Sequence, residues 1–431
     1  MNKNYNKYFD ETYYTETLKN GLKVIIFNKP EFRTTICSFG TPYGGLNIHQ
    51  KVGSKTYNFN PGIAHFLEHK LFEAKGDDML NQFSSMGARL NAFTSYRETV
   101  YYFATTSSDI EAPLNLLLDF VQDLDITDKS VKKEKGIIAQ EVAMYQQMPD
   151  QRLLAEAYKC LYHNFPLKYD IGGDKKSVYA ITKKELETCY SINYHPANMV
   201  LCITSPIDPK EIIKIVKNNQ DNKKFGKFIA PKVNNETEPN HVANQKRSFS
   251  MPIKTNKHIY AYKLKPKFTN PNDAFKKEWT LRLLLEVYFS SINPDYQTWL
   301  DQNIINDFFG YEVEFSMDCA NILFYIENND SKVLKELIVN TLDKDLLNED
   351  VIEQLKHRYI GEMFSTFNDV ISFNQSFIRD YLQGLDYFKA FEDLKNITLD
   401  DVIASKEYLS SPHTSLISMI KKWEYFENNT G

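Results

Sequence analysis

The chain has 431 residues, enough for two or three domains with their own cores. Its net charge of −5 comes from 51 Lys and Arg against 56 Asp and Glu, spread without long single-sign blocks, which argues against a nucleic-acid-binding surface. No run approaches the roughly eighteen apolar residues of a membrane span, and the opening MNKNYNKYFDETYY lacks the apolar stretch of a secretory signal, so no membrane association and a cytoplasmic location are expected. Five scattered cysteines (Cys37, Cys160, Cys189, Cys202, Cys319) without C-x-x-C spacing read as reduced core thiols.

In chain order, residues Tyr13 to Gly40 read as strands, with Asn20-Gly21 as a hairpin turn between ETLKN and LKVIIF. A polar loop, Thr41 to Asn60, leads into PGIAHFLEHKLFE, Pro61 to Glu73. Here Ile63, Phe66, Leu67 and Leu71 make the apolar face of a helix. His65 and His69, four apart, stand one above the other on a single stripe with Glu68 on its flank. Two imidazoles so spaced can grip one divalent ion, and a third protein ligand would leave the fourth tetrahedral position to water. Glu68 would then serve as general base and pass the proton to a leaving amine. The order His-x-x-Glu-His is the inverzincin motif. A helix that merely carries these residues is the alternative; with nine His in 431 residues such a match has chance odds of roughly one in a hundred.

A second helix is expected over about Asp77 to Met86, ending at Gly87, then strands at Arg89 to Thr94 and Thr99 to Thr106. Helical patterns fill Asp109 to Asp123 and Asp128 to Gln147; Pro149 stops the second and Asp150 can cap the next. A loop through Gly172-Gly173, a helix from Thr182, a strand at Met199 to Thr204 and a helix capped by Asp208 follow. The Asn-, Lys- and Glu-rich stretch Asn218 to Arg247 reads as a linker with a strand at Lys227 to Ile229. Beyond it the order repeats: a strand at His258 to Lys263, helices at Asp273 to Phe289 and Pro294 to Asn303, strands at Tyr311 to Phe315 and Asn321 to Ile326, and a last strand at Ser415 to Ile420. This is the pattern of an old duplication in which only the first copy kept the histidines.

The helix KEKGIIAQEVAMYQQ offers Glu134 and Glu141, seven apart and therefore on one face. Either could bind the metal while the other supports a ligand. His163 and His195, the latter before Pro196, read as structural; Glu73 and Glu98 read as ion-paired surface groups.

HFLEH followed by Glu134-x6-Glu141 resembles the M16 family of zinc peptidases, which includes pitrilysin and the mitochondrial processing peptidases. LKNGLKVII, NAFTSYRETVYYF and YHPANMVLCI extend the resemblance over the first 220 or so residues, and it is nearest to the short bacterial YmfH-like catalytic subunits of the M16B-like type. The resemblance implies an α+β fold of two homologous α/β-roll domains, each a mixed, largely antiparallel sheet packed with helices, in the LuxS/MPP-like metallohydrolase architecture. It implies a catalytic domain over 1–225, a linker over 226–247 and a metal-free domain of the same fold over 248–431. It also implies one Zn2+ per chain on His65, His69 and Glu141, Glu68 as base, Glu134 as support, and substrate held along Asn91, Ala92 and Phe93 as a strand added to a sheet edge. The expected activity is that of a zinc metalloendopeptidase on peptides or unfolded short polypeptides; the alternatives are a maturation protease for one ribosomally made peptide and a non-catalytic scaffold subunit.

In the family an Arg and a Tyr from the second half reach towards the zinc. The stretch that corresponds here, YQTWLDQNIINDFFGYEVEF, Tyr296 to Phe315, keeps Tyr311 but has no Arg or Lys, with Arg282 and Arg358 as the possible substitutes. The resemblance therefore implies a heterodimer in which a homologous chain brings the Arg–Tyr pair.

Overall fold

The structure, a computed structural model, describes residues 1–73 and 79–422. Its first strands are β1 (Asn2–Asn6), β2 (Glu11–Thr17), β3 (Lys23–Asn28) and β4 (Thr35–Thr41). A small hairpin, β5 (His49–Val52) and β6 (Lys55–Asn58), precedes α1 (Ile63–Phe72) and α2 (Met79–Ser85). Then come β7 (Ala88–Thr94), β8 (Thr99–Thr105), α3 (Glu111–Val121), α4 (Asp128–Gln146), α5 (Pro149–Leu161), α6 (Lys175–Ala180), α7 (Lys183–Asn193), β9 (Val200–Ser205) and α8 (Pro209–Asp221). The second half contributes β10 (Lys232–Val233), β11 (Lys246–Met251), β12 (Lys257–Leu264), α9 (Pro271–Phe289), α10 (Tyr296–Asp301), β13 (Gly310–Phe315) and β14 (Ala320–Glu327). It closes with α11 (Lys332–Leu342), α12 (Glu349–Ser365), α13 (Val370–Leu382), α14 (Tyr387–Lys395), α15 (Leu399–Ala404) and β15 (Thr414–Lys421). The expected start of α2 at Asp77 lies outside the described residues.

The chain forms two compact units that are interleaved in sequence. One comprises 1–143, 169–235 and 362–388; the other comprises 144–168, 236–361 and the residues from 389 onwards. The first unit holds a seven-stranded sheet of order β1-β2-β3-β9-β4-β8-β7, antiparallel except for the β3–β9 pair. The second holds a five-stranded sheet of order β11-β15-β12-β14-β13, antiparallel except for β11–β15. The run β3-β9-β4-β8-β7 and the whole second sheet thus share one order and one pattern of strand directions. That common plan is the internal repeat, and it makes α9 the counterpart of α1. The α9 sequence, PNDAFKKEWTLRLLLEVYF, has no His.

Alternation sorts the first sheet's faces. Cys37 and Phe39 of β4 point into a core with Phe66 and Leu67 of α1, Leu114 and Leu117 of α3 and Leu186 of α7. Ser38, between them, points the other way and donates to Asn374 Oδ1 of α13 at 2.6 Å. Asn374 Nδ2 donates in turn to the Cys202 carbonyl and Thr204 Oγ1 of β9, and Phe373 and Phe377 pack edge-on against Phe27 of β3. A helix from the far end of the sequence therefore covers the second face of the first unit's sheet.

Three local expectations change. The Thr41–Asn60 segment contains the β5–β6 hairpin, turned at Gly53 with φ +58°, and Gln50 and Asn193 of α7 exchange two side-chain amide bonds of 2.8 and 3.0 Å that fasten it down. The linker strand is β10, paired with β5, and not Lys227 to Ile229. Glu98 is fully buried and not a surface group: its Oε2 accepts from Gln383 and its Oε1 lies 3.4 Å from Arg379 Nε. Local sequence gives no sign of a cover supplied by residues almost three hundred positions away.

The same neighbourhood yields a pH prediction. Burial pushes the carboxyl of half-buried Asp380 up to about 7, opposed by Arg379 and reinforced by Glu98. A raised folded-state pKa contributes stability that is full below the ordinary value of 3.8 and is lost as pH rises towards 7. Asp380→Asn should therefore leave urea stability unchanged near pH 4 and raise it near pH 8, by roughly 1–2 kcal/mol after allowance for partial exposure. Equal effects at both pH values would contradict this assignment.

Candidate metal centre

The segment before α1 is anchored on α7: the Asn60 amide and side chain both donate to the Glu185 carboxylate, the former at 2.7 Å. Gly62, with φ +92°, turns the chain into the helix, and Ile63, Ala64, Phe66, Leu67 and Leu71 are buried. This packing leaves His65 and His69 on the flank that faces α4, half-buried, with ring centroids 4.5 Å apart. Lys70 is buried and pairs with Glu73, which also meets Lys133, so Glu73 is the ion-paired group expected.

Donor atoms of His65, His69 and Glu141 lie within 4.8 Å of one another, and this is the one such cluster among the described residues. Glu141 Oε2 is 3.4 Å from His69 Nε2 and 3.8 Å from His65 Nε2. Ligands about 2.0–2.2 Å from a tetrahedral zinc are themselves about 3.3 Å apart, so the donor set fits that ion in number, type and spacing. Glu134, 6 % exposed, lies with Oε1 3.0 Å from His69 Nδ1, the placement that fixes a ligating imidazole through its second nitrogen.

Burial, with the neighbouring His69, pulls His65 down to about 4. Burial also pulls on His69, but Glu134 and Glu141 outweigh it and raise it. Burial would raise Glu134; its hydrogen bond to His69 and the charge of that ring hold it low instead. Glu68 is raised by burial, against the Thr94 hydroxyl, which donates to its Oε2.

Thr94 is the residue that sequence reasoning missed. The resemblance points to Asn91, Ala92 and Phe93 of NAFTS; strand alternation is the signal that puts Ala92 and Thr94 on the helix side. Ala92 packs against the core beneath α1, opposite Tyr101, which meets Phe72. Asn91 and Phe93 occupy the other face, where Phe93 lies beneath the Arg379 guanidinium. β7 is an edge strand, and the Ala92 N–H donates at 2.9 Å to Asn91 Oδ1. His195 and His163 take structural places: His195 Nδ1 accepts from the Ala197 amide, and the His163 ring stacks edge-on against His241.

Residues 45–175 match the model of insulinase, peptidase family M16, and 180–358 match that of the peptidase M16 inactive domain. The uncharacterized zinc protease YmfH of Bacillus subtilis is 34% identical over 396 residues, 91% of this chain and 92% of that protein. The chain belongs to the M16 peptidase family. Other M16 relatives match in part: the beta subunit of human mitochondrial-processing peptidase is 27% identical over 207 residues, 45% of this chain and 42% of its own. The crystal structure of an M16-like peptidase from Alicyclobacillus acidocaldarius superposes with a TM-score of 0.89 at 28% identity, covering 95% of this chain and 98% of that one. A Helicobacter pylori protease shares the fold at 17% identity, with a TM-score of 0.81 and coverage of 94% and 99%. The two-unit α+β architecture is the M16 fold. No helix among the described residues is long and apolar enough to cross a membrane.

Proposed function

We propose that this chain is a zinc-dependent endopeptidase for extended or unfolded peptides, with one zinc held by His65, His69 and Glu141. The observation that carries the reading is the junction of that donor cluster with a sheet edge: Glu68 shares α1 with the histidines and is hydrogen-bonded to Thr94 of β7. Bound there, zinc would supply Lewis acidity, polarising a carbonyl and making water ionise near neutral pH. Glu68 accepts the proton of the attacking water and returns it to the departing amine. Glu134 holds His69 in one tautomer and orientation. A substrate strand beside β7 exchanges its carbonyl for Asn91 Oδ1 at the Ala92 amide; recognition through backbone groups tolerates many sequences. In this reading 1–225 is the catalytic half of the sequence, 226–247 the link and 248–431 the metal-free half, with 144–168 packed into the second unit and 362–388 into the first. The five buried free cysteines suit a reducing, cytoplasmic setting.

We further propose that the active form is a heterodimer. Within the second unit the two arginines that could substitute for the expected one are already engaged. Arg282 donates to the Val313 carbonyl at 2.7 Å and pairs with Glu278, and Arg358 pairs with Glu286 at 2.9 Å. Glu286 also accepts the Tyr311 hydroxyl at 2.7 Å. A developing oxyanion needs preorganised donors, usually the largest catalytic contribution. The human relative is itself named as one subunit of a peptidase. The test is cleavage of a fluorogenic peptide library by the zinc-loaded chain, alone and mixed with a homologous chain that lacks HxxEH and carries the Arg–Tyr pair. Chelator-sensitive cleavage only on mixing is expected. Full activity from the isolated chain would overturn the heterodimer; no cleavage in either case would overturn the peptidase reading.

A further inference from the structure

The two histidines of α1 are held in place by different means. His69 has Glu134 at its Nδ1. A metal-bound imidazole ordinarily hands its second N–H to such a partner, which fixes the ring. His65 Nδ1 is buried and meets no hydrogen-bond partner among the described residues. The residue beside it is Gly172. A Cβ built on Gly172 would sit 3.6 Å from His65 Nδ1 and 2.9 Å from Val142 Cγ2. Val142 follows Glu141 in α4, is buried, and is stiff about χ1 as a β-branched residue in a helix. Gly172 therefore fills the gap between α1 and α4 with main chain alone.

The loop that carries Gly172 has little room to retreat. The Gly172 amide donates to Asp170 Oδ1 at 2.9 Å and the Gly173 amide to the Asp170 carbonyl at 2.8 Å. On the far side it is clasped to the start of α1. The Gly172 carbonyl stands 2.5 Å from where a Cβ on Gly62 would be, and the Pro61 carbonyl 2.5 Å from one on Gly173. Gly62 and Gly173 both have left-handed φ, +92° and +77°, while Gly172 lies outside that range. Two glycines serve the turn and the clasp; the third is required only for the space it leaves.

We propose that Gly172 is a positioning residue for the metal site: its missing side chain sets the separation of α1 and α4, and with it the placement of His65 against Glu141. This rests on the reading that His65, His69 and Glu141 hold zinc. A methyl group at 172 would push Val142 and the loop apart and carry Glu141 away from His65.

The test is zinc affinity of the full chain, measured with zinc alone by competition against a chromophoric chelator, beside the thermal melt of the metal-free protein. Gly172→Ala should bind zinc about 10–100-fold more weakly, the range seen when the support of a metal ligand is lost, with a metal-free melt that stays cooperative and is lowered only by the cost of overpacking one methyl group. Its cobalt-loaded form should show a shifted visible band, because the ligand geometry changes. Combining it with Val142→Ala, which removes the methyl group that the new side chain meets, should restore most of the affinity. Gly136→Ala, in the same helix with nothing within 4 Å of the added Cβ, should bind zinc like wild type. If Gly172→Ala does not fold, the double variant carries the test: affinity close to that of Val142→Ala alone supports the proposal, and no recovery overturns it. Wild-type affinity in Gly172→Ala, in a chain whose zinc is lost on His69→Ala, overturns this proposal alone. Zinc that survives His69→Ala overturns it together with the metal assignment.

Discussion

Glu68→Gln is expected to keep its zinc and lower kcat/KM by about 10²–10⁴, the usual cost of removing a general base. The amide preserves the size of the side chain and can still accept the Thr94 hydroxyl through its carbonyl oxygen, so packing and metal content should change little. It cannot take a proton from water. Burial raises the Glu68 carboxyl above its ordinary value, which brings its basicity closer to that needed near neutral pH. The measurement is peptide cleavage by wild-type and variant protein of equal zinc content, in whichever assembly proves active. Near-normal turnover by the zinc-loaded variant would rule out Glu68 as base and leave its buried place beside Thr94 as purely structural.

His69→Ala should remove the metal, from about one zinc per chain to a small fraction of that after dialysis, because two donors seldom retain an ion in competition with solvent. The change also strands Glu134. Its Oε1 now faces the His69 ring, and losing that partner removes the largest of the influences that hold its carboxyl low against burial. The fold should persist, since His69 is only half-buried and the α1 core contacts come from Ile63, Phe66, Leu67 and Leu71. Metal analysis together with circular dichroism checks both halves of the statement. Stoichiometric zinc in a folded His69→Ala protein would place the site elsewhere.

Much of this was legible in the sequence because it is local. Two histidines one helical turn apart, a glutamate between them and a Glu pair seven residues apart on a later helix are patterns that backbone periodicity converts directly into faces. The same holds for the edge strand, whose alternation separates Ala92 and Thr94 from Asn91 and Phe93 once its direction is known. The duplication was visible as a repeated element order, and the two sheets carry it in matching strand orders.

What the tertiary structure alone decided depends on contacts between distant segments, for which no local propensity exists. Glu98 reads as one more surface acid until α13, from the other end of the chain, closes over it with Arg379 and Gln383. Which of Glu134 and Glu141 faces the His69 Nδ1 and which faces the two Nε2 atoms is set by how α4 docks on α1, and their shared helical face leaves both options open. Gly172 is the extreme case. A glycine two residues past an aspartate in a loop suggests a turn, whereas the space it leaves is fixed by Val142 and His65, thirty and 107 residues away in sequence, because close packing turns one absent methyl group into a distance between two helices.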